Sequence, residues 1–198
     1  MLFHTTTADL DLFILLNQSL RAPALDAILP VFSSRLALLV LLAAALAWAV
    51  RRAGPRQIAL FLVLLAGMGL SDLACGQIKD RVLRVRPLNA VPGAFYQENG
   101  TWQTRPPDFV QTKENGSSYP SAHAANSMTL AVLAMLLWRR TRPWLGLLPL
   151  LVGWSRVYLG KHYPTDVLAG WLLGIVVAFI VWQVWTRLPE RLRPPSGG

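Results

Sequence analysis

Residues 155–166 read Ser-Arg-Val-Tyr-Leu-Gly-Lys-His-Tyr-Pro-Thr-Asp, and an apolar run without a charge, 167–186, follows directly. That run has the length of about 20 residues that a helix needs to cross a bilayer. Proline disfavours a helix through the preceding residue but suits the first turn of a new one. We therefore predict a membrane-spanning helix that starts near Pro164, with His162 at its start and Asp166 one turn inside.

Further apolar blocks of the same kind precede this run. The chain has 198 residues, of which 54% are apolar and only 15% are charged. With their flanking semi-polar residues, the blocks predict five spans, over residues 31–51, 57–78, 121–139, 143–157 and 166–187. Blocks this free of charge disfavour the alternative, a soluble all-α protein. The predicted fold class is all-α: a polytopic membrane bundle of five to six helical spans.

Three more polar segments complete a single integral-membrane domain over 1–198. Residues 1–30 mix apolar stretches with polar side chains such as Asp9, which predicts an interfacial helix; a sixth span is the alternative. Residues 88–119 are rich in Pro and Gly and predict an extracytoplasmic loop. A loop of this length is either a lid or headgroup wall, or a segment resting on the membrane. The Pro- and Gly-rich tail, 188–198, is predicted to be flexible.

The arginines indicate how the chain is oriented. Nine of them lie in three places on one predicted face: Arg51, Arg52 and Arg56; Arg139, Arg140 and Arg142; Arg187, Arg191 and Arg193. Cationic side chains near span ends mark the cytoplasmic side. The net charge of +9 therefore indicates an inner-membrane protein in contact with the bilayer, not a nucleic-acid partner. Residues 155–166 and the 88–119 loop are predicted to face the periplasmic, extracytoplasmic side.

The spacing of His162 and Asp166 suits catalysis. An imidazole held by a carboxylate is fixed in one tautomer and becomes a better nucleophile or base. The alternative is a capped helix end whose charges are solvated. By itself the spacing leaves both interpretations open, and side chains at two other outward ends of the predicted spans favour the first.

Those two ends supply cations, a hydroxyl and a second histidine. Ser121 is a favourable helix N-cap, and free N–H groups at a helix start bind anions. If adjacent spans pack together, one face holds Lys79, Arg86, Ser121, His123, Arg156, His162 and Asp166. This is the inventory for a phosphoryl group, because Arg and Lys bind phosphate oxygens and fixed cations stabilise phosphoryl transfer.

Three ordered motifs then point to a known family. They are Lys79-x6-Arg86-Pro87, Pro120-Ser121-Ala122-His123 and Ser155-Arg156-x5-His162-x3-Asp166. These resemble the signature motifs of the type 2 phosphatidic acid phosphatase superfamily, which also includes vanadium haloperoxidases. One position departs, since Ala122 stands where the family usually has glycine, although its backbone N–H is retained. The resemblance implies a phosphatase/haloperoxidase-like helical core.

The resemblance also implies a role for each motif residue. His162 is the nucleophile that forms a phosphohistidine, Asp166 orients it, and His123 is the general acid for the leaving group. The phosphate is held by Lys79, Arg86, Ser121, the amide of Ala122 and Arg156. Family members do not require a divalent metal, so no metal or cofactor is expected. The cations beside the motifs are expected to face lipid phosphates, or alternatively to attract an anionic headgroup: Arg81, Arg84 and Lys161.

A site near the outer membrane boundary favours a lipid phosphate or diphosphate as substrate. Resemblance to small bacterial members implies undecaprenyl diphosphate, hydrolysed to undecaprenyl phosphate plus phosphate during cell-wall biogenesis. Phosphatidylglycerophosphate, phosphatidic acid and lipid A phosphate remain open. The membrane blocks disfavour a haloperoxidase, and a non-catalytic lipid-binding or transport protein is the remote alternative. The sequence carries no indication of oligomeric state.

Overall fold

The computed structural model describes residues 5–55, 57–138 and 142–189. These residues are mainly helical, as predicted. The α-helices are α1 (Thr7–Ile14), α2 (Pro23–Ser33), α3 (Arg35–Ala53), α4 (Gln57–Val82), α5 (Ala122–Leu137), α6 (Arg142–Leu145), α7 (Leu147–Tyr158) and α8 (Pro164–Arg187). A π-helical turn, Leu15–Ser19, follows α1, and a 3-10 turn, Pro87–Asn89, follows α4. Two short strands, β1 (Phe95–Glu98) and β2 (Thr101–Thr104), lie between α4 and α5.

Glycines bring α8 and α5 into close contact. A Cβ atom added at Gly170 would lie 2.5 Å from the carbonyl oxygen of Ser121, and one at Gly174 would lie 2.5 Å from that of Ala125. Thr129 then donates a hydrogen bond of 3.1 Å to the carbonyl of Gly174. Small residues allow helix backbones to approach in this way. The packing places the N-terminal ends of α5 and α8 side by side.

Helix length supports fewer spans than the five to six predicted. Within the described residues, two helices are long and apolar enough to cross a membrane, Gln57–Asn89 and Pro164–Arg187. The N-terminal helices qualify as a third span only if taken together across their bend of 118°. Helix α5 has 16 residues and α7 has 12. At 1.5 Å per residue they reach only about 24 and 18 Å, less than the roughly 30 Å of a bilayer core.

The N-terminal segment is not a single interfacial helix but a bent pair packed into the protein. Phe13 is fully buried, and its ring lies 5.7 Å from that of Tyr163. Asn17, also fully buried, donates hydrogen bonds to the carbonyls of Phe95 (2.9 Å) and Tyr158 (2.7 Å) and accepts one from the N–H of Phe95. One buried amide thus joins the N-terminal segment to α7 and to the loop.

The predicted loop at 88–119 contains a β-hairpin. Strands β1 and β2 pair antiparallel, with Glu98 opposite Thr101. The two connecting residues, Asn99 and Gly100, have φ angles of +50° and +81°. Two consecutive positive φ values are typical of the type I′ turn that joins two-residue hairpins. The remainder of 88–119 has little regular structure.

Several predicted features lie outside the described residues. They are most of the tail at 188–198 and the arginines Arg56, Arg139, Arg140, Arg191 and Arg193.

Candidate active site

His162 lies in the short connection between α7 and α8, and only 2% of its surface is exposed. Its Nδ1 atom is 2.7 Å from the carbonyl oxygen of Ser118. A carbonyl oxygen can only accept a hydrogen bond, so Nδ1 carries the proton and Nε2 keeps its lone pair. Burial, aided by the charges of Arg156 and Arg86, lowers the pKa of His162 to about 4, although the Asp166 carboxylate opposes this. The imidazole is therefore neutral at pH 7 and has a free nucleophilic nitrogen.

The sequence predicts that Asp166 holds this imidazole, but the structure shows no direct hydrogen bond between them. Its nearer oxygen is 3.7 Å from Nδ1 of His162, which is too long for a hydrogen bond. The carboxylate instead accepts from Ser118 Oγ at 2.5 Å and from the N–H of Tyr163 at 2.8 Å. The second bond caps the start of α8, so this carboxylate oxygen is used by the helix backbone and not by the ring. Asp166 and His162 thus share Ser118 as a partner, the carboxylate through its hydroxyl and the ring through its carbonyl.

Arg84 is a second departure from the sequence-based prediction. It was expected to face lipid phosphates, but only 5% of it is exposed. Its guanidinium donates to Asp166 at 2.5 Å, to Asp9 at 2.5 Å and to Thr165 Oγ1 at 2.8 Å. Asp9 is also buried and accepts from the N–H and the hydroxyl of Thr165, at 2.9 and 2.6 Å. Through Asp9, the N-terminal segment therefore stabilises the start of α8.

The segment that carries Ser118 is placed by backbone pairing. The N–H of Gly116 donates to the carbonyl of Leu83 at 2.9 Å, and the N–H of Ser118 donates to that of Arg84 at 2.9 Å. A Cβ atom at Gly116 would lie 2.6 Å from the Arg84 carbonyl oxygen, so only glycine allows this approach. The end of the 88–119 loop is thereby fixed against the residues that follow α4.

Two of the predicted phosphate-binding cations, Arg86 and Arg156, lie near His162, and Lys79 lies near those two. Arg156 belongs to the last turn of α7 and is 9% exposed, and its charge and that of Arg86 act on both His162 and Lys79. Arg86 donates to Ser117 Oγ at 3.2 Å. Its Nε atom is buried and has no partner in the described part of the chain. A buried unpaired N–H is costly, so this group is suited to receive an anionic oxygen.

The start of α5 meets the start of α8 at the same place. Ser121 is the N-cap of α5, as predicted, and its hydroxyl accepts from the N–H of Ala124 at 3.4 Å. Its own N–H donates to the carbonyl of Asp166 at 2.9 Å. Ala122 and His123 occupy the first helical turn, where both are half-buried. The site thus combines a helix N-terminus with three cations and a neutral histidine, an arrangement that fits a phosphoryl group.

A cavity of about 430 Å³ lies beside this cluster. Its walls come from the residues after α4, from the 88–119 loop and from Lys161, which precedes the buried histidine. The lining residues are Arg86, Leu88, Asn89, Tyr96, Glu98, Arg105, Phe109, Thr112, Lys113 and Lys161. In residues 5–55, 57–138 and 142–189, no group of three or more His, Cys, Asp or Glu side chains could hold a metal ion.

Comparisons with known proteins agree with this architecture. An undecaprenyl-diphosphatase from Sulfolobus acidocaldarius is 35% identical over 123 residues, which are 59% of this chain and 52% of that protein. This chain thus spans about half the length of that curated relative. The crystal structure of Aquifex aeolicus LpxE superposes with a TM-score of 0.70 at 23% identity, over 92% of this chain and 99% of that one. A transmembrane PAP2 type phosphatidylglycerolphosphate phosphatase from Bacillus subtilis gives a TM-score of 0.63 at 24% identity, over 93% and 90% of the two chains.

Both structural matches concern the fold alone, because their sequence identity is low. The model of one family, described as the PAP2 superfamily, matches residues 60–190 of this chain. That region covers more than half of the chain and includes the three motifs between Lys79 and Asp166. It also contains the helices α5, α7 and α8 that build the cluster around His162. The chain therefore belongs to the PAP2 superfamily.

Proposed function

We propose that this chain is a metal-independent lipid phosphatase that acts through a phosphohistidine at His162. The observation that carries the proposal is the buried, neutral imidazole whose Nδ1–H donates to the Ser118 carbonyl. This hydrogen bond leaves Nε2 as the attacking atom, and the surrounding cations supply the charge that a phosphoryl group requires.

In the first step, Nε2 of His162 attacks phosphorus and forms a P–N bond. The bond between phosphorus and the leaving oxygen breaks, and His123 donates the proton that this oxygen takes up. Lys79, Arg86 and Arg156 hold the non-bridging oxygens together with the Ala122 amide. The ring becomes cationic, and the Ser118 carbonyl and the Asp166 carboxylate stabilise that charge.

In the second step, water attacks the phosphohistidine. His123, now unprotonated, accepts a proton from this water, which is the reverse of its first role. The P–N bond breaks, inorganic phosphate leaves, and the electron pair returns to Nε2. The enzyme is then restored with its proton on Nδ1 and with His123 protonated for the next cycle.

Undecaprenyl diphosphate is the substrate that we favour, with undecaprenyl phosphate and phosphate as products. The Sulfolobus relative bears this activity in its name, and the outward apolar faces of α4 and α8 suit a lipid tail. Phosphatidylglycerophosphate, phosphatidic acid and lipid A phosphate are the alternatives. We place the protein in the inner membrane as a multi-pass chain, with its site on the periplasmic side.

The test is phosphate release by detergent-purified protein from each of these four lipids in the presence of EDTA. We expect turnover that EDTA does not reduce and that His162→Ala abolishes, and the ranking of kcat/KM identifies the substrate. An Arg52→Met variant, altered at an exposed cation of α3, serves as the control and retains wild-type rates. Release from no lipid, or equal release by His162→Ala, would leave a lipid-binding protein as the better interpretation.

A further inference from the structure

The cavity beside the reaction centre contains cations that the proposed mechanism does not use. Four of its lining side chains are cationic, whereas Glu98 is the one acidic side chain among them. Arg86 lies in both the cavity and the phosphate-binding cluster, so the two spaces adjoin. A cavity of about 430 Å³ falls in the usual size range of small-molecule sites.

Lys161 is the cavity residue closest in sequence to the nucleophile. It is half-buried, and its ammonium group makes no hydrogen bond or ion pair within the part of the chain that the structure describes. Burial lowers the pKa of Lys161 from its usual value, the charges of Arg156 and Arg86 lower it further, and the charge of Glu98 opposes this only in part. A cation that faces more positive than negative charge is stabilised when an anion arrives.

Arg86 provides a second, independent indication of a ligand. Its Nη2 atom is engaged by Ser117, whereas its Nε–H is buried without a partner among the described residues. A guanidinium presents its donors in a fixed fork, so the unsatisfied N–H defines a direction from which an oxygen can bind. Arg86 can therefore contact one phosphoryl group and adjoin a second.

Arg105 forms a fixed wall of the cavity. Its Nε donates to the carbonyl of Leu88 at 2.6 Å, and its guanidinium lies over the rings of Tyr96 and Phe109, at 4.6 and 4.8 Å from their centroids. These contacts tie the hairpin to the segment after α4. The cavity is thus bounded by packed groups, which lowers the cost of ordering it when a ligand binds.

We infer that this cavity is a second phosphoryl-binding subsite, in which Lys161 and Arg86 bind a phosphoryl group other than the one under attack. The inference rests on the proposed function, which places the scissile phosphate at His162. Two sources have the required chemistry. One is the second phosphate of a diphosphate headgroup, and the other is inorganic phosphate released in an earlier turnover.

Substrates with one and with two phosphates test the subsite. The kcat/KM of Lys161→Met is compared with that of wild type on a polyprenyl diphosphate and on phosphatidic acid, together with inhibition by inorganic phosphate. Arg52→Met is the control because it removes an exposed cation that does not line the cavity. A charge-assisted contact predicts a loss of about 10- to 100-fold on the diphosphate and less than about threefold on phosphatidic acid. That result identifies the lipid as the source.

A selective rise of about 10-fold or more in the inhibition constant of phosphate would identify the released product as the source instead. Equal losses on both lipids would show that Lys161 serves the scissile phosphate and would overturn the inference. Wild-type values throughout would overturn it as well.

A binding measurement separates this inference from the proposed activity. In the His162→Ala background, calorimetry compares pyrophosphate with phosphate. We expect pyrophosphate to bind at least about 10-fold more tightly, and we expect Lys161→Met to remove that difference. Equal affinity for the two anions before the lysine is changed would contradict a second subsite, even if lipid turnover were established. If pyrophosphate binding shows the second subsite but no lipid is hydrolysed, only the proposed phosphatase activity is contradicted.

Discussion

Replacing Arg84 by methionine tests the buried ion pairs behind the nucleophile. The guanidinium lies 2.5 Å from Asp9 and 2.5 Å from Asp166, and the three side chains are 3%, 2% and 0% exposed. Methionine fills much of the same space but leaves two buried carboxylates without their shared cation. Removal of one partner from a buried ion pair costs about 3–5 kcal/mol. Since whole proteins are stable by about 5–15 kcal/mol, Arg84→Met should lose a large share of its free energy of unfolding.

The assay is chemical unfolding of the detergent-purified variants, with Arg81→Met as the matched control. Arg81 is exposed in the last turn of α4, three residues before Arg84. Its loss should therefore change the free energy of unfolding by no more than about 0.5 kcal/mol. Arg84→Lys keeps a charge but not the fork that reaches both carboxylates, and we expect an intermediate loss. Equal stability of Arg84→Met and Arg81→Met would refute the reasoning that these ion pairs hold the start of α8.

Three further outcomes follow from the site and its packing. Ser118→Ala removes the hydroxyl that donates to Asp166 but keeps the carbonyl that accepts from His162, so kcat should fall by about 10-fold or more while KM changes little. Unchanged kcat would show that the carboxylate does not need this hydroxyl to support His162. Because the pKa of His162 is about 4 when folded and 6.5 when unfolded, the ring stays neutral down to about pH 4, and its contribution to stability decreases as the pH falls from 6.5 toward 4. NMR of ¹⁵N-histidine-labelled protein measures this pKa, with the signal assigned by its loss in His162→Ala, and a value near 6.5 would contradict the burial argument. Gly174→Ala places a methyl group 2.5 Å from a carbonyl oxygen of α5 and should destabilise the protein by about 1–3 kcal/mol in thermal unfolding, whereas Gly69→Ala, which meets nothing within 4 Å, should not; equal unfolding temperatures would contradict the close packing of α5 and α8.

The helices that carry the motifs could be predicted because their signals are local. Long apolar blocks predicted α4, α5 and α8 to within a few residues at most ends, and Pro164 predicted the start of α8. The span over 143–157 proved to be the short α6 followed by α7, with the break at Gly146. Hydropathy alone does not register such a break, because glycine and leucine both belong to an apolar block.

The hairpin has a local signal in the sequence. Asn99-Gly100 is the preferred pair for a type I′ turn, and Phe95, Tyr96 and Trp102 on either side of it favour strands. The prediction of a loop rests on the Pro, Gly and Asn residues of 88–119 alone, and Asn and Gly also form the turns of hairpins. The bend of the N-terminal segment had a similar signal in Pro23, which occupies the first turn of α2.

The support around His162 could not be predicted from spacing. Asp9 and Arg84 are 75 positions apart and meet only in the folded chain. A buried acid in an apolar segment indicates that a cationic partner exists, but the sequence offers many arginines and does not select one. The backbone carbonyl of Ser118 accepts a hydrogen bond from the ring, and a sequence motif identifies only side chains. Its position depends on the backbone pairing of Gly116 and Ser118 with Leu83 and Arg84.

The central claim is that His162 becomes covalently phosphorylated during turnover. The most direct measurement uses a lipid diphosphate labelled with ³²P in its terminal phosphate, quenched in alkali during the reaction, because phosphohistidine is stable in alkali and labile in acid. We predict that the label is found on the peptide that contains His162, is lost on acid treatment, and is absent from His162→Ala. Turnover without any labelled protein, or label on the peptide that contains His123, would contradict the account.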